Sequence, residues 1–283
     1  MTTDGPEPAT ARGHGRAGRD LRAATVVGLG LAVLVVGTLF VWKPAFVGLA
    51  VVAIAVAVWE LGQALITRGI RVPLVPVLLG SVLMVVGGYV GGYQTLVVAL
   101  GLTVVAVLVW RLGEREDGYA RDVTAGVFVA VYVPFQAGFA MLLLRPDDGP
   151  WRVLVCILVV AASDTGGYIA GVLAGRHPMA PSVSPKKSWE GLGGSVVACV
   201  AVGVLAVPVL LDGGWLAGAA LGAAAVVTAT LGDLGESMIK RDLGIKDMST
   251  LLPGHGGIMD RLDSLLPTLP VAWIVLTALV PVS

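Results

Sequence analysis

Long apolar stretches alternate with short polar segments along almost the whole chain, and this pattern predicts helices that cross a membrane. Nine stretches come close to the length of about 20 apolar residues that one crossing requires. They are Ala24–Trp42, Pro44–Trp59, Val72–Val90, Thr95–Trp110, Val123–Leu144, Trp151–Leu173, Ser195–Leu211, Trp215–Thr230 and Leu265–Val282. The pattern therefore predicts an all-α polytopic membrane protein with about nine transmembrane helices.

Composition excludes most other classes of protein. Hydrophobic residues make up 56% of the chain and charged residues only 13%, whereas a soluble domain carries roughly 25% charged residues. The 19 basic and 19 acidic residues give a net charge of zero, so no overall field attracts nucleic acid. Cys156 and Cys199 lie inside apolar stretches without a CxxC neighbour, which favours buried thiols over a disulfide or a metal site. We therefore expect neither a soluble domain nor a disulfide scaffold.

The polar segments divide the chain into two regions and orient it in the membrane. Residues 1–23 are polar and predict a disordered tail, and residues 24–283 form the predicted membrane domain. When the loops are placed alternately on the two sides, only Lys43, Arg145 and Arg152 of the 19 basic residues fall opposite the tail. Because cytoplasmic loops carry the excess of Lys and Arg, we expect a cytoplasmic N-terminus, an external C-terminus and a location in the cell membrane.

The strongest candidate for chemistry is the charged segment Leu231–Leu262, between the last two apolar stretches. Asp233 and Asp260 each adjoin an apolar stretch, so they meet at one membrane depth if the two helices are neighbours. The turn Pro253–Gly257 is able to bring backbone N–H groups toward an anion. Carboxylates beside cationic side chains suit Mg²⁺-assisted phosphate chemistry, which predicts a Mg²⁺ site at these two aspartates. The basic residues that this prediction assigns to contact with substrate phosphates are Lys240, Arg241 and Arg261.

Two further polar islands interrupt the second half of the chain. In Ser184–Gly191, Lys186 and Lys187 either contact substrate phosphates or anchor a helix end at the membrane surface. In Ser163–Tyr168, Asp164 lies inside the sixth apolar stretch, where a carboxylate is costly and indicates function by default. The alternative role for this carboxylate is helix packing, in which a neighbouring hydroxyl satisfies it. Both islands therefore join the candidate site, each with a structural role as its alternative.

These motifs resemble the signature of the phosphatidate cytidylyltransferase family, whose members are also called CDP-diacylglycerol synthases. The signature positions are filled in three blocks, Ser237–Arg241, Lys246–Ser249 and Leu252–Asp263. The island Ser184–Gly191 is similar to a cytoplasmic loop of that family, although Ser188 stands where threonine is more usual and keeps its hydroxyl. Ser163–Tyr168 and Gly232–Ser237 match as well, so the resemblance runs from about Leu144 to the C-terminus.

The resemblance implies transfer of CMP from CTP to phosphatidate, giving CDP-diacylglycerol and pyrophosphate, by a magnesium-dependent enzyme of phospholipid biosynthesis. It also implies a polar cavity that faces the cytoplasm, a membrane lipid as one substrate, and a homodimer. The implied catalytic residues are Asp164, Lys187, Asp233 and Asp260, of which the last two hold Mg²⁺. The implied substrate-binding residues are Ser184, Lys186, Lys187, Ser188, Lys240, Arg241, His255, Gly256, Gly257 and Arg261, with catalytic motifs confined to 163–263.

A secondary transporter is the alternative from a different functional class. In that interpretation Asp164 takes part in a proton relay, and glycine-rich broken helices surround a site at the middle of the membrane. A transporter of this kind is built from two similar halves, whereas the dense polar motifs of this chain all lie in its second half. Pyrophosphate release from CTP and phosphatidate would distinguish the enzyme from the transporter.

Overall fold

The computed structural model describes residues 21–113, 117–251 and 256–282, with side chains from residue 26 onward. Its elements are α1 (Leu21–Val41), α2 (Lys43–Ile66), α3 (Leu74–Leu112), α4 (Tyr119–Ala130), a π-helical turn (Val131–Phe135), α5 (Gln136–Leu144), α6 (Gly149–Ala174), β1 (Pro178–Ala180), β2 (Ser184–Ser188), α7 (Trp189–Leu211), α8 (Trp215–Leu243), α9 (Met259–Leu262) and α10 (Leu265–Leu279). Residues 1–20 of the predicted tail lie outside the described residues.

Long apolar helices give the described part of the chain the character of a polytopic membrane protein. Seven of them are long and apolar enough to cross a membrane: α2, α3, α6, α7, α8, and the runs Tyr119–Leu144 and Met259–Leu279. The apolar part of α1, Val26–Val41, is shorter than these. The prediction of an all-α polytopic membrane protein is confirmed, and one two-stranded hairpin is added to it. By helix length the described residues give seven candidate spans, compared with the nine stretches of the sequence.

Helix α3 contains the third and fourth predicted stretches and reverses direction at Gly92. This glycine has φ 77° and ψ −162°, a conformation that residues with a side chain rarely adopt. A methyl group at Gly80 would collide with Thr103, although these positions would lie about 35 Å apart in a straight helix. A methyl group at Gly87 would likewise come within 2.9 Å of Thr95. The two arms of α3 therefore lie side by side and antiparallel.

Small residues bring α6, α7 and α8 into close contact. A Cβ atom at Gly166 of α6 would lie 2.7 Å from the carbonyl oxygen of Gly194 in α7. Gly203 of α7 and Gly218 of α8 likewise leave no room for a side chain between their backbones. Ser195 adds a hydrogen bond of 2.7 Å to a backbone carbonyl of α6. Close backbone approach of this kind holds helices together in lipid, and these three helices form the frame of the site described below.

At the end of the bundle away from the site, the buried side chain of Arg152 joins α6 to the end of α10. Its guanidinium pairs with Asp148 at 2.8 Å and donates to the carbonyl oxygen of Pro281 at 2.8 Å. Lys43, at the start of α2, donates to the carbonyl oxygen of Pro146 at the same end. These bonds satisfy carbonyl groups that helix and loop ends leave without a partner, so this end of the bundle is fixed by backbone acceptors.

Candidate active site

Helix α8 carries the first half of the charged segment. The apolar pattern predicts its end at Thr230, but the helix continues to Leu243 and is ended by Gly244, which has a positive φ of 71°. Asp233, Glu236 and Lys240 follow at intervals of three and four residues, so they lie on one face of this extension. The Lys240 ammonium contacts the Glu236 carboxylate at 2.5 Å along that face. The charged residues are therefore held on a rigid element rather than in a solvated loop.

A short β-hairpin between α6 and α7 presents the paired lysines. Its strands β1 and β2 are antiparallel and end directly at the first turn of α7. The Ser188 hydroxyl accepts a hydrogen bond from the backbone N–H of Gly191 at 3.1 Å and caps α7. Lys187, one residue earlier, places its ammonium 2.5 Å from the carboxylate of Asp233 on α8. The hairpin thus supplies a cation to a carboxylate on a different helix.

Asp260, on the short helix α9, joins the two ends of the charged segment. Its Oδ2 atom accepts hydrogen bonds from the backbone N–H groups of Gly257 at 2.8 Å and Met248 at 3.0 Å. Its Oδ1 atom accepts from the Lys240 ammonium at 2.8 Å. Lys240 therefore bridges Glu236 and Asp260, and its contact with substrate phosphates stays a prediction.

These elements surround a cavity with a volume of about 440 Å³. The hydroxyl groups of Ser163, Ser188, Ser195, Thr230 and Ser264 line it between the charged groups. The charged residues that line it are Asp164, Lys186, Lys187, Asp233, Asp260, Arg261 and Asp263. A cavity with both cations and carboxylates suits a substrate that carries phosphate groups together with metal ions.

The carboxylates of this cavity interact with one another across the helices. Asp233 and Asp263 are close enough to Asp164 for their charges to repel it, and Lys187 and Arg261 attract it. Within the described ranges, no three His, Cys, Asp or Glu side chains already converge at metal-binding distance. Mg²⁺ needs only one or two protein carboxylates, because waters and substrate oxygens complete its octahedron. A set of repelling carboxylate oxygens beside a cavity therefore fits a divalent cation that arrives with its substrate.

The structure brings most of the sequence-predicted residues to one place. Asp164, Lys186, Lys187, Ser188, Asp233, Asp260 and Arg261 all line the cavity. Ser184 lies in β2, and Arg241 donates to the carbonyl oxygen of Val183 at 3.3 Å, which ties the hairpin to the end of α8. Gly256 and Gly257 precede α9, and the backbone N–H of Gly257 donates to Asp260. His255 lies outside the described residues.

Sequence reasoning missed Glu60, near the end of α2. Its side chain is completely buried and accepts hydrogen bonds from Ser249, Ile258 and Met259, all within the charged segment or next to it. The available signal was a lone carboxylate in an otherwise apolar helix, which is as costly as the one at Asp164. No motif accompanies Glu60 in the first half of the chain, so nothing in the sequence connects it with the site.

The helix bundle and its charged cavity define a polytopic membrane protein whose site suits a phosphate-bearing substrate. Comparison with known proteins makes this more specific, because the model of the cytidylyltransferase family matches residues 22–279. The chain belongs to that family. The match includes the first half of the chain, where the sequence motifs alone gave no resemblance.

Named relatives agree with this assignment. The phosphatidate cytidylyltransferase of Mycobacterium bovis is 42% identical over 286 residues, covering 96% of this chain and 93% of the relative. The phosphatidate cytidylyltransferase of Mycobacterium leprae is 44% identical over 282 residues, covering 93% and 90% of the two chains. The enzyme of that name from Haemophilus influenzae is 38% identical over 148 residues, covering 49% and 51%. The family resemblance inferred from the motifs is confirmed.

Proposed function

We propose that this chain is a phosphatidate cytidylyltransferase, which transfers CMP from CTP to phosphatidate and releases pyrophosphate. The observation that carries the proposal is the 42–44% identity, over nearly the full chain, to relatives of that name. The charged cavity supports it, because a nucleoside triphosphate and an anionic lipid both need cations around their phosphates. The transporter alternative has no comparable support among the relatives.

The site faces the cytoplasm of a cell-membrane protein with nine passes, which form one domain over residues 24–283. Nine passes follow when α1 is counted as a span and α3 as two arms that reverse at Gly92. The external end then holds Lys43, Arg145 and Arg152, and the remaining basic residues lie at the tail or at the end with the cavity. The excess of basic residues at that end supports a cytoplasmic site, where CTP is available.

Asp233 and Asp260, which both line the cavity, would hold Mg²⁺. When bound, it neutralises phosphate charge and orients the triphosphate for in-line attack. Two backbone N–H groups and the Lys240 ammonium donate hydrogen bonds to Asp260 and fix its orientation. Asp233 is paired with Lys187, so the hairpin brings a cation next to this proposed ligand.

The side chains of the chain itself position the reactants and balance charge. A phosphate oxygen of phosphatidate forms a bond to the α-phosphorus of CTP as the bond to the pyrophosphate oxygen breaks, so no covalent enzyme intermediate is needed. Lys186, Lys187 and Arg261 stabilise the negative charge of the transferring group, and Asp164 orients Lys187 through its charge. The further CTP contacts are Ser184, Ser188, Arg241, His255, Gly256 and Gly257.

The activity is tested on purified protein in detergent with phosphatidate and each nucleoside triphosphate in turn. We expect CDP-diacylglycerol and pyrophosphate in equal amounts with CTP, and neither product after Mg²⁺ is removed by a chelator. A heat-inactivated sample is the control for contaminating activity in the lipid. Purified protein that releases no pyrophosphate but moves a solute across vesicle membranes would contradict the proposal. The mass of the detergent-solubilised particle tests the homodimer.

A further inference from the structure

Glu60 is a completely buried carboxylate in a helix that otherwise contributes no charged group to the site. It lies six residues before the end of α2, at the end of the bundle that holds the cavity. Burial of an unsatisfied carboxylate is costly, so a buried one is retained only with hydrogen-bond partners. The partners of Glu60 are therefore informative about what the residue does.

Among the residues that the structure describes, the hydrogen-bond partners of Glu60 come from the charged segment Leu231–Leu262. Oε1 accepts from the Ser249 hydroxyl at 2.5 Å and from the backbone N–H of Ile258 at 3.1 Å. Oε2 accepts from the backbone N–H of Met259 at 2.8 Å, at the start of α9. One carboxylate thus joins two stretches of backbone that are about ten residues apart, and fixes both to α2.

Gly257 shows how closely Glu60 approaches this backbone. A Cβ atom at position 257 would lie 2.7 Å from Oε2 and 2.8 Å from Oε1 of Glu60. A side chain at position 257 would therefore displace the Glu60 carboxylate from its hydrogen bonds. This contact with α2 favours glycine at position 257 independently of any contact with a nucleotide.

The backbone groups that Glu60 holds are direct neighbours of those that hold Asp260. Asp260 Oδ2 accepts from the N–H groups of Met248 and Gly257. Met248 precedes Ser249, and Gly257 precedes Ile258. Each of these two stretches therefore donates hydrogen bonds to both Asp260 and Glu60. A displacement of these stretches from Glu60 would therefore move the donors of Asp260 as well.

We propose that Glu60 is a positioning residue of the active site, which acts by fixing the backbone donors that orient Asp260. The proposal rests on the proposed role of Asp260 as a Mg²⁺ ligand. A carboxylate at a metal site needs defined orientation, and outer partners of ligands typically contribute roughly 10- to 100-fold to metal affinity or activity. Through Glu60, the first half of the chain, where no motif was found, contributes to the active site.

The test compares Glu60→Gln with the wild-type protein. The amide keeps the size of the carboxylate but turns one acceptor into a donor, which opposes the backbone N–H groups. We expect kcat/KM for CTP to fall roughly 10- to 100-fold, with a higher Mg²⁺ concentration needed for half-maximal activity. Hydrogen exchange provides a readout that does not depend on activity, and the amides of Met248 and Gly257 should exchange faster.

Asp148→Asn is the matched control, because Asp148 is also a buried carboxylate but pairs with Arg152 at the other end of the bundle. We expect it to lower the melting temperature while kcat/KM for CTP stays within about twofold of wild type. If Glu60→Gln loses activity only in proportion to its loss of folded protein, as the control does, the residue is structural and the proposal is wrong. Unchanged kcat/KM and unchanged exchange at Met248 and Gly257 would also overturn it.

Two further variants keep the result unambiguous. If Glu60→Gln does not fold, Ser249→Ala removes one of the three hydrogen bonds without burying an unpaired group, and a several-fold fall in kcat/KM is expected. Wild-type kcat/KM in Ser249→Ala would then count against the proposal. Asp260→Asn is measured in parallel, and full activity of this variant contradicts the metal proposal. If Asp260→Asn loses activity while Glu60→Gln stays active, only the proposed role of Glu60 is contradicted.

Discussion

At the scale of single residues, the cavity is organised by pairs of opposite charge that come from different elements. Lys187 of the hairpin meets Asp233 of α8, and Lys240 of α8 meets Asp260 of α9. Sequence spacing identified all four residues, because each stands out against an almost uncharged chain. It could not identify the pairing, since a lysine and an aspartate 20 to 46 positions apart are brought together only by the packing of the helices.

Removal of either proposed Mg²⁺ ligand should abolish turnover. Asp233→Asn and Asp260→Asn keep the shape of the side chain but lose its charge, so we expect kcat to fall by orders of magnitude in each. The double variant should be little worse than either single one, because ligands of one ion act as a unit. The control is Asp242→Asn, an exposed carboxylate near the end of α8. Turnover within a few-fold of wild type in either single variant would rule out the metal assignment.

Arginine in place of the paired lysines separates phosphate contact from membrane anchoring. An anchor needs only positive charge, whereas the Lys187 ammonium fits as a compact cation 2.5 Å from Asp233. We therefore expect the variant with arginine at both Lys186 and Lys187 to lose most of its kcat, because guanidinium differs in size and geometry. Lys43→Arg, at the other end of the bundle, should remain fully active. Full activity of the double variant would favour the anchor instead.

At the scale of elements, the apolar pattern predicted the helices well and their ends less well. The eighth stretch predicts an end at Thr230, but α8 continues to Leu243. The pattern of apolar residues marks the part of a helix that is long enough to cross a membrane. It does not detect the part of the same helix that continues beyond the membrane with charged residues on one face. The reversal at Gly92 was also partly predicted, because the third and fourth stretches were separated there, but the close contact of the two arms depends on tertiary packing.

Gly92 should be the glycine of α3 that tolerates alanine least. The φ and ψ of Gly92 lie in a region essentially confined to glycine, where another residue costs on the order of 1–3 kcal/mol, and a methyl group at this position would also collide with Arg145. Gly92→Ala should therefore lower the midpoint of thermal unfolding in detergent. Gly101→Ala is the matched control in the second arm, where nothing lies within 4 Å of the added methyl group. Equal unfolding midpoints for the two variants would show that the chain does not reverse at Gly92.

At the scale of the whole molecule, the two ends of the bundle differ in how their polar groups are used. The end with the cavity carries most of the charged side chains, and the other end is held by bonds from Arg152 and Lys43 to backbone carbonyls. The one-sided distribution of basic residues predicted this difference from sequence alone. The link between the halves, made by Glu60, could not be predicted because it depends on where α2 packs against the turn before α9.

Labelling of engineered cysteines tests the orientation of the molecule. We expect an external membrane-impermeant reagent to reach a cysteine at Asp212, in the turn after α7, but not one at Ser182 in the hairpin. The native Cys156 and Cys199 are free and buried, as the sequence predicted, so the wild-type protein should give little background. Membrane permeabilisation should make the Ser182 variant reactive. Labelling of the Ser182 variant in intact cells would reverse the proposed orientation.

The backbone contacts between α6, α7 and α8 also limit how this chain can vary over evolutionary time. Gly166, Gly194, Gly203 and Gly218 have no space for even one methyl group, whereas Val197 and Leu205 on the outer side of α7 are largely exposed. Neutral drift should therefore be confined to one side of each helix and almost absent on the other. A complete set of single substitutions, selected for growth, should show tolerance that rises and falls with the helical period of about 3.6 residues.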